Sequence, residues 1–513
     1  MKYYAPTNQQ LSLDLFKSSL DGLDKSNRWV RLGDALPWSK IEKEYNSKLN
    51  NKEKGAGNKP ARVIVGAMII KHKLNLSDME TIEIIRENPY MQYFCGLTEF
   101  TDKPIFDPSL FVTIRKRLTE EDLNKMVVHL MAEERLRQER AAVQDDDSSD
   151  RGGTPNPCSK TEDLDSKAFT DSKGREHKGT LKIDATCADA EVRYPQDVDL
   201  IYDGCRKVHD YTAKICAFFS LGKPRTHFKD ARSSYQFLVK TSKKKGKMVR
   251  STIGILLGYL HKDLRRLLDI LAVDESRYAM LREYEKRNLT AIIKMYHQQD
   301  IMHNTNTHSC IDRIISIFQP HVRPIVRGKA SAKVEFGAKI GASIVDGYTF
   351  IDHHSWDAYN ECSDLELQIK LFKERFGYLP ATIFADKIYL NRANRKILND
   401  LGIKTYCKSL GRPPKDPPPE QELAKMAKAS GKRNEIEGSF GMTKRVYRAN
   451  NIRAKLPNTG DAWTGMCYFV KNVMKFLRKL CHIPTEIWFF VSSFMCFCRR
   501  KGTSRDLAFS YFY

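Results

Sequence analysis

Apolar residues recur at helical spacing from Lys59 to about Glu139, and the polar positions between them carry helix-start signals. Ser77-Asp78-Met79-Glu80 has the form of a capping box ahead of Thr81 to Arg86. Asp107-Pro108 pairs an N-cap with a proline at the first helical position, leading into Leu110, Phe111, Ile114 and Leu118. Thr119-Glu120-Glu121-Asp122 opens a further helix through Leu136. The pattern predicts an all-α N-terminal domain over 59–140, preceded by an arm over 1–58. Scaffolding and direct DNA contact are equal readings of that domain.

From 141 to 180 the chain is polar and rich in Ser, Asp and Gly, a composition that cannot bury a core and reads as a flexible linker. It ends at Leu181-Lys182-Ile183-Asp184-Ala185-Thr186, an alternating run with strand character. Helical spacing returns between about Asp197 and Gln319, including Ile253 to Leu271 and Arg277 to Gln299. Strands follow at Val334 to Ile340, Ala342 to Val345 and Tyr348 to His353, the last two joined by the turn Asp346-Gly347. Leu365 to Phe376 reads as a helix, Ala381 to Ala385 as a buried strand, Ala393 to Leu401 as a helix and Ile403 to Cys407 as a strand. This order predicts an α/β sheet with helices on its faces, closed by the Pro-rich loop Gly411 to Pro419.

Charge narrows the partner. The 513 residues carry 86 Lys+Arg against 63 Asp+Glu, a net charge of +23 spread along most of the chain. Such an excess points to a polyanion, and nucleic acid fits better than a membrane surface, which would gather the charge beside an amphipathic segment. The opening residues lack an export signal, so a cytoplasmic location is expected, and the 12 cysteines, with no C-x-x-C pair, are expected to be reduced. The apolar stretch Ile487 to Cys498 is shorter than the roughly 20 residues that span a bilayer and reads as a buried helix or strand. The segment 481–513 has no clear pattern.

Three acids sit where strand ends and a helix would meet: Asp184 on the first strand, Asp386 at the end of a later buried strand, and Glu437 in the helical stretch after the Pro-rich loop. In an α/β sheet such side chains converge in one crevice. Carboxylates gathered there repel unless a cation sits among them, and hard oxygen ligands suit Mg²⁺ or Mn²⁺. Two such ions serve an in-line phosphoryl displacement. Taken singly, each Asp is more often a turn or cap residue than a catalytic one.

The segments Leu181 to Pro195, Ile314 to Lys329, Glu335 to Asn360 and Ile383 to Ala393 resemble, in order, motifs of the DDE transposases of bacterial insertion sequences. Arg433 to Lys444 is similar to the R-x3-E-x6-K core of that family's YREK signature, and Gly57 to Leu118 resembles its helical N-terminal domain. The resemblance implies an RNase H-like catalytic domain over 181–480, with a helical insertion at about 197–319 between its first and second strands. It implies Asp184, Asp386 and Glu437 as catalytic and metal-holding carboxylates for Mg²⁺ or Mn²⁺, two ions in number. It also implies Arg433 and Lys444 as contacts to DNA near the site. Ser430 stands where the signature's tyrosine should be, which puts that residue's role in doubt. Glu435, the nearest rival for the third acid, misses the spacing.

Further DNA contacts are expected at Lys243, Lys244 and Lys245, in the densest basic run, and at Arg323, Arg327 and Lys329. Solvated loops and local salt bridges compete for both groups. Trp356 reads as packing before stacking, and His303, His308 and Cys310 lack a fourth zinc ligand. The resemblance thus implies binding of inverted ends of double-stranded DNA, metal-dependent cleavage and strand transfer into target DNA. It also implies a homodimer or higher multimer on DNA, and a cytoplasmic protein that joins the nucleoid when bound. A catalytically silent DNA-binding derivative and an RNase H-like nuclease are the alternatives.

Overall fold

The computed structural model describes residues 19–49, 57–147, 168–326, 334–407 and 419–480, with backbone alone at 141–147, 420–426 and 429. Arg327 and Lys329, the Pro-rich loop before Pro419, and the apolar stretch from Ile487 lie outside the described residues.

Seven helices come first: α1 (Arg28–Ala35), α2 (Trp38–Ser47), α3 (Ala61–Leu74), α4 (Asp78–Glu87), α5 (Pro89–Phe94), α6 (Leu110–Arg117) and α7 (Glu120–Asp147). The capping box of α4 is present in full: Ser77 Oγ accepts from the Glu80 N–H at 3.2 Å, and Glu80 accepts from the Ser77 N–H at 2.8 Å. Residues 28–47, expected to form part of an arm, instead make two helices. Trp29 and Trp38 set their rings 5.2 and 5.5 Å from that of Phe94, and this buried aromatic seam holds α1 and α2 on α5. Helix α7 runs on past Leu136 through the strong helix formers that follow, into the segment expected to be linker. The end of that segment forms a small hairpin, β1 (Phe169–Thr170) with β2 (Glu176–His177).

The main sheet starts with β3 (Thr180–Asp189). Helices α8 (Asp197–Phe218), α9 (Phe228–Lys240), α10 (Gly246–Ala272), α11 (Glu275–Ala279) and α12 (Glu283–Thr305) then intervene before β4 (Arg323–Val326). They enclose a separate apolar core that includes Ile201, Leu256, Leu260, Ile292 and Met295. Gly204 lets α8 close on its neighbours, since a Cβ there would stand 2.9 Å from the Met295 methyl. The helix expected from Arg277 starts only at Glu283, because Arg282 is extended (φ −66°, ψ 154°) and caps it.

The sheet is completed by β5 (Val334–Val345), β6 (Tyr348–Ser355), β7 (Thr382–Phe384) and β8 (Lys404–Thr405). Strand β3 is central, antiparallel to β5 on one side and parallel to β7 on the other. β5 also pairs antiparallel with β4 and β6, and β7 pairs parallel with β8. The two strands expected on either side of Gly341 are one strand with a register shift between Gly341 and Ala342. The turn from β5 to β6 is the expected one, Asp346 and Gly347 having φ of 49° and 77°.

Helices α13 (Asp364–Phe376) and α14 (Arg392–Leu401) flank the sheet, and α15 (Glu420–Val446) packs on β3 and β7. The last helix, α16 (Pro457–Leu480), lies between β6 and helices α3, α6 and α7. Met466, Phe469, Val470, Val473 and Phe476 fill that space, so the N-terminal helices and the sheet share one continuous apolar core. No described helix is long and apolar enough to cross a membrane.

Candidate active site

Alternation along β3 buries Leu181 and Ile183 in the core and turns Lys182 and Asp184 toward α15. Lys182 is in register with Phe384, the last residue of β7, and Asp386 follows two residues later, just past the paired segment. β7 ends at Phe384, and Asp386 caps the following 3₁₀ turn (Lys387–Tyr389), its Oδ1 accepting from the Lys387 N–H at 2.7 Å. Asp184 Oδ1 accepts from the Ala185 N–H at 2.8 Å.

Helix α15 brings the third acid. Ile436 and Phe440 are buried beneath it, Ser439 bonds Thr349 at 2.8 Å, and Lys432 lies over the Phe384 ring at 5.4 Å. With the helix so anchored, Arg433 reaches 3.3 Å to Asp184 Oδ2 and 2.7 Å to Glu437 Oε1. One guanidinium therefore joins the first and third acids. Glu435 points the other way and pairs with Lys182.

Burial raises the Asp184 carboxyl to about 6; the Ala185 N–H and Arg433 pull it down, while Glu361 and Asp386 push it up. Even with a cation beside it, this carboxylate is short of positive charge. No periodicity marks Glu361 in the sequence: it opens a 3₁₀ turn (Glu361–Ser363) that reaches the site only through packing against the turn after Asp386. A separate donor group, Cys187, Asp189 and Glu335, lies further along β3 and at the start of β5, with ligand atoms within 4.8 Å of one another.

The expected DNA contacts scatter. Lys444 is half-buried in the last turn of α15, about two turns beyond Glu437. Lys243, Lys244 and Lys245 are exposed at the N-terminus of α10, far along the chain from the acids, and Lys244 lines a cavity of about 670 Å³ with Lys247 and Arg250. A helix N-terminus and three lysines together favour an anion. Arg323 turns inward, donating to the carbonyls of Pro320 at 2.5 Å and Val322 at 3.3 Å, with Asp357 at 3.8 Å. Trp356 packs against His321 and donates to Asp461 at 2.8 Å.

Residues 18–117 match the family model of a transposase domain (DUF772), and residues 383–473 match that of a transposase DDE domain. The second match takes in Asp386, Arg433 and Glu437. Over 115 residues the chain is 31% identical to an uncharacterized protein, ORF8 in the nfe locus, of Rhizobium meliloti. That stretch is 22% of this chain and 55% of the relative, so the chain spans about half the length of the curated relative it matches. No solved structure matches.

Proposed function

From the matches to a transposase domain and a transposase DDE domain, we propose that the chain is a DDE transposase of insertion-sequence type and that Asp184, Asp386 and Glu437 form its catalytic centre, which cuts and joins the ends of its own element. The observation that carries this is the single guanidinium of Arg433 spanning Asp184 and Glu437, with the charge of Asp386 bearing on Asp184. The central first strand β3, antiparallel to β5 (itself paired with β4 and β6) and followed on its other side by the parallel strands β7 and β8, supports an RNase H-like fold. The separate core of α8–α12 supports reading about 197–319 as an insertion within a catalytic domain of about 181–480, after a helical domain that takes in α1 to α7. The tail, 481–513, is left without a role.

The site fits a hard divalent cation. Its donors are carboxylate oxygens, and Asp184 stays raised to about 6 despite Arg433. Asp184, Asp386 and Glu437 would hold Mg²⁺ or Mn²⁺, two ions in this reading, which supply the charge that activates an attacking hydroxyl and stabilises the leaving 3′ oxygen. Asp184 stands on the central strand, and Asp386 caps the turn that follows the paired strand β7. Glu437 stands on a helix and owes its approach to Ile436 and Phe440 below it. Arg433 pairs with both acids it touches. When they have another partner, its planar fork is free to grip a phosphate of the DNA end, with Lys444 about three turns further on.

Lys243, Lys244 and Lys245 add phosphate contacts from the insertion, and Arg323, Arg327 and Lys329 are kept as secondary contacts. Pairing of two ends calls for a homodimer or larger multimer on double-stranded DNA, acting in the cytoplasm at the nucleoid. Asp184→Ala tests the assignment on terminal DNA in Mg²⁺: end binding should persist and strand cleavage should vanish. Full cleavage by that variant rejects the site. A silent derivative would show no cleavage with the parent chain, and a plain nuclease would cut without end sequences and never join strands.

A further inference from the structure

Beside the three acids stand two groups that the catalytic reading leaves unused. Glu361 opens a 3₁₀ turn that packs directly on the turn following Asp386. Asn394 clamps the two turns together, its Nδ2 donating to the carbonyls of Cys362 at 2.7 Å and Tyr389 at 2.8 Å. Glu361 is held by Lys339, whose Nζ lies 2.7 Å from Oε2. Its charge bears on Asp184 ahead of that of Asp386.

The second group is the Tyr389 hydroxyl. The residue is 0% exposed and its hydroxyl has no hydrogen-bond partner. Asp184, Glu361 and Asp364 are the carboxylates whose charges act on it. A buried hydroxyl left unbonded is destabilising, and phenylalanine would fill the same space without that cost. The hydroxyl is explained if the acids move toward it when their charge is balanced.

We infer that Glu361 is a fourth acidic residue of the cation site, and that Tyr389 is a positioning residue whose hydroxyl donates a hydrogen bond to the acids gathered there. The inference rests on the proposed site of Asp184 and Asp386. Lys339 then has a definite part: it pairs Glu361 while no cation is near and leaves Oε1 of that side chain for the site.

The test is Mn²⁺ titration of the full chain by calorimetry, without DNA, with a thermal melt in EDTA as a folding check on each variant. Glu361→Gln should weaken Mn²⁺ binding about 10- to 100-fold, the size of effect seen when groups around a metal are removed, and Tyr389→Phe about fivefold. Parent-like affinity in Glu361→Gln overturns the inference, and parent-like affinity in Tyr389→Phe overturns the part given to the hydroxyl. The double variant Glu361→Gln/Lys339→Met should stay weak; recovery to parent affinity would mean that an unpaired lysine, and not the removal of a ligand, caused the effect. Should Glu361→Gln fail to fold, Glu361→Asp keeps the charge but withdraws the carboxylate, and unchanged binding there counts equally against the idea. Asp184→Asn separates the two levels: if it keeps Mn²⁺ binding the site itself is misplaced, and if it alone loses binding only the role of Glu361 and Tyr389 falls.

Discussion

Replacing Asp184 by Asn should stabilise the metal-free protein at neutral pH while removing its chemistry. Burial raises this carboxyl from 3.8 to about 6, with Glu361 and Asp386 adding to the rise against the Ala185 N–H and Arg433. The folded chain thus holds the proton more tightly than the unfolded chain. The associated stability is complete below about pH 3.8 and is lost as pH climbs through 6. At roughly 1.4 kcal/mol per tenfold change in proton affinity, the ionised Asp184 costs between about 1 and 3 kcal/mol at pH 7.5. Asparagine keeps an oxygen for the Ala185 N–H and has no charge to bury. Urea unfolding in EDTA should therefore find parent and variant alike near pH 4, with the variant ahead by that margin at pH 7.5. Adding Mg²⁺ at a hundred times its Kd should raise the parent by about 2.7 kcal/mol and leave the variant unmoved, closing or reversing the gap. A gap of the same size at pH 4 and pH 7.5, or a parent that leads at pH 7.5 in EDTA, would refute the reasoning.

Gly337→Ala should break the pairing of β3 with β5, since its Cβ would fall 1.9 Å from the Ala188 carbonyl oxygen; a loss of several kcal/mol is expected in denaturant melts. Burial and the neighbouring Lys475 push the Lys471 ammonium down to about 7, so the folded chain binds fewer protons than the unfolded one above that value. Stability should accordingly rise from pH 7 toward 10, and Lys471→Met should flatten the rise in urea titrations at pH 7 and 9. Replacing Lys243, Lys244 and Lys245 by Ala should weaken binding to any duplex and lower the slope of log K against log salt by about one for each phosphate that is no longer neutralised. An unchanged slope in filter binding would take these lysines out of the interface.

Much of this architecture is written in local pattern. The Ser77–Glu80 box, the Asp346-Gly347 turn and the alternation around Asp184 each rest on neighbouring residues, so their chemistry survives being read in one dimension. Asp184 and Asp386 stand out through the ordered motifs around them, since an Asp taken singly at such a place is more often a turn or cap residue. What the pattern hides depends on distance along the chain. Helices α1 and α2 are short and charged, and their purpose shows only against Phe94. The approach of Glu361 depends on Asn394, well downstream, clamping two turns. The signature around Arg433 points it toward DNA; its contact with both Asp184 and Glu437 needs a strand laid down some 250 residues earlier.

The position of α16 bears on how the molecule is made. Helices from the first 140 residues close against a segment that ends at Leu480, and Arg31 donates to the Leu480 carbonyl at 2.8 Å. A ribosome must deliver nearly the whole message before those early helices find the surface they bury. Until then Ile64, Ile69, Phe111 and Leu130 wait partly uncovered, a state that invites chaperone capture or aggregation. Cutting the polypeptide between 148 and 167 would then leave two fragments clinging together, with neither leaving as a free-standing unit.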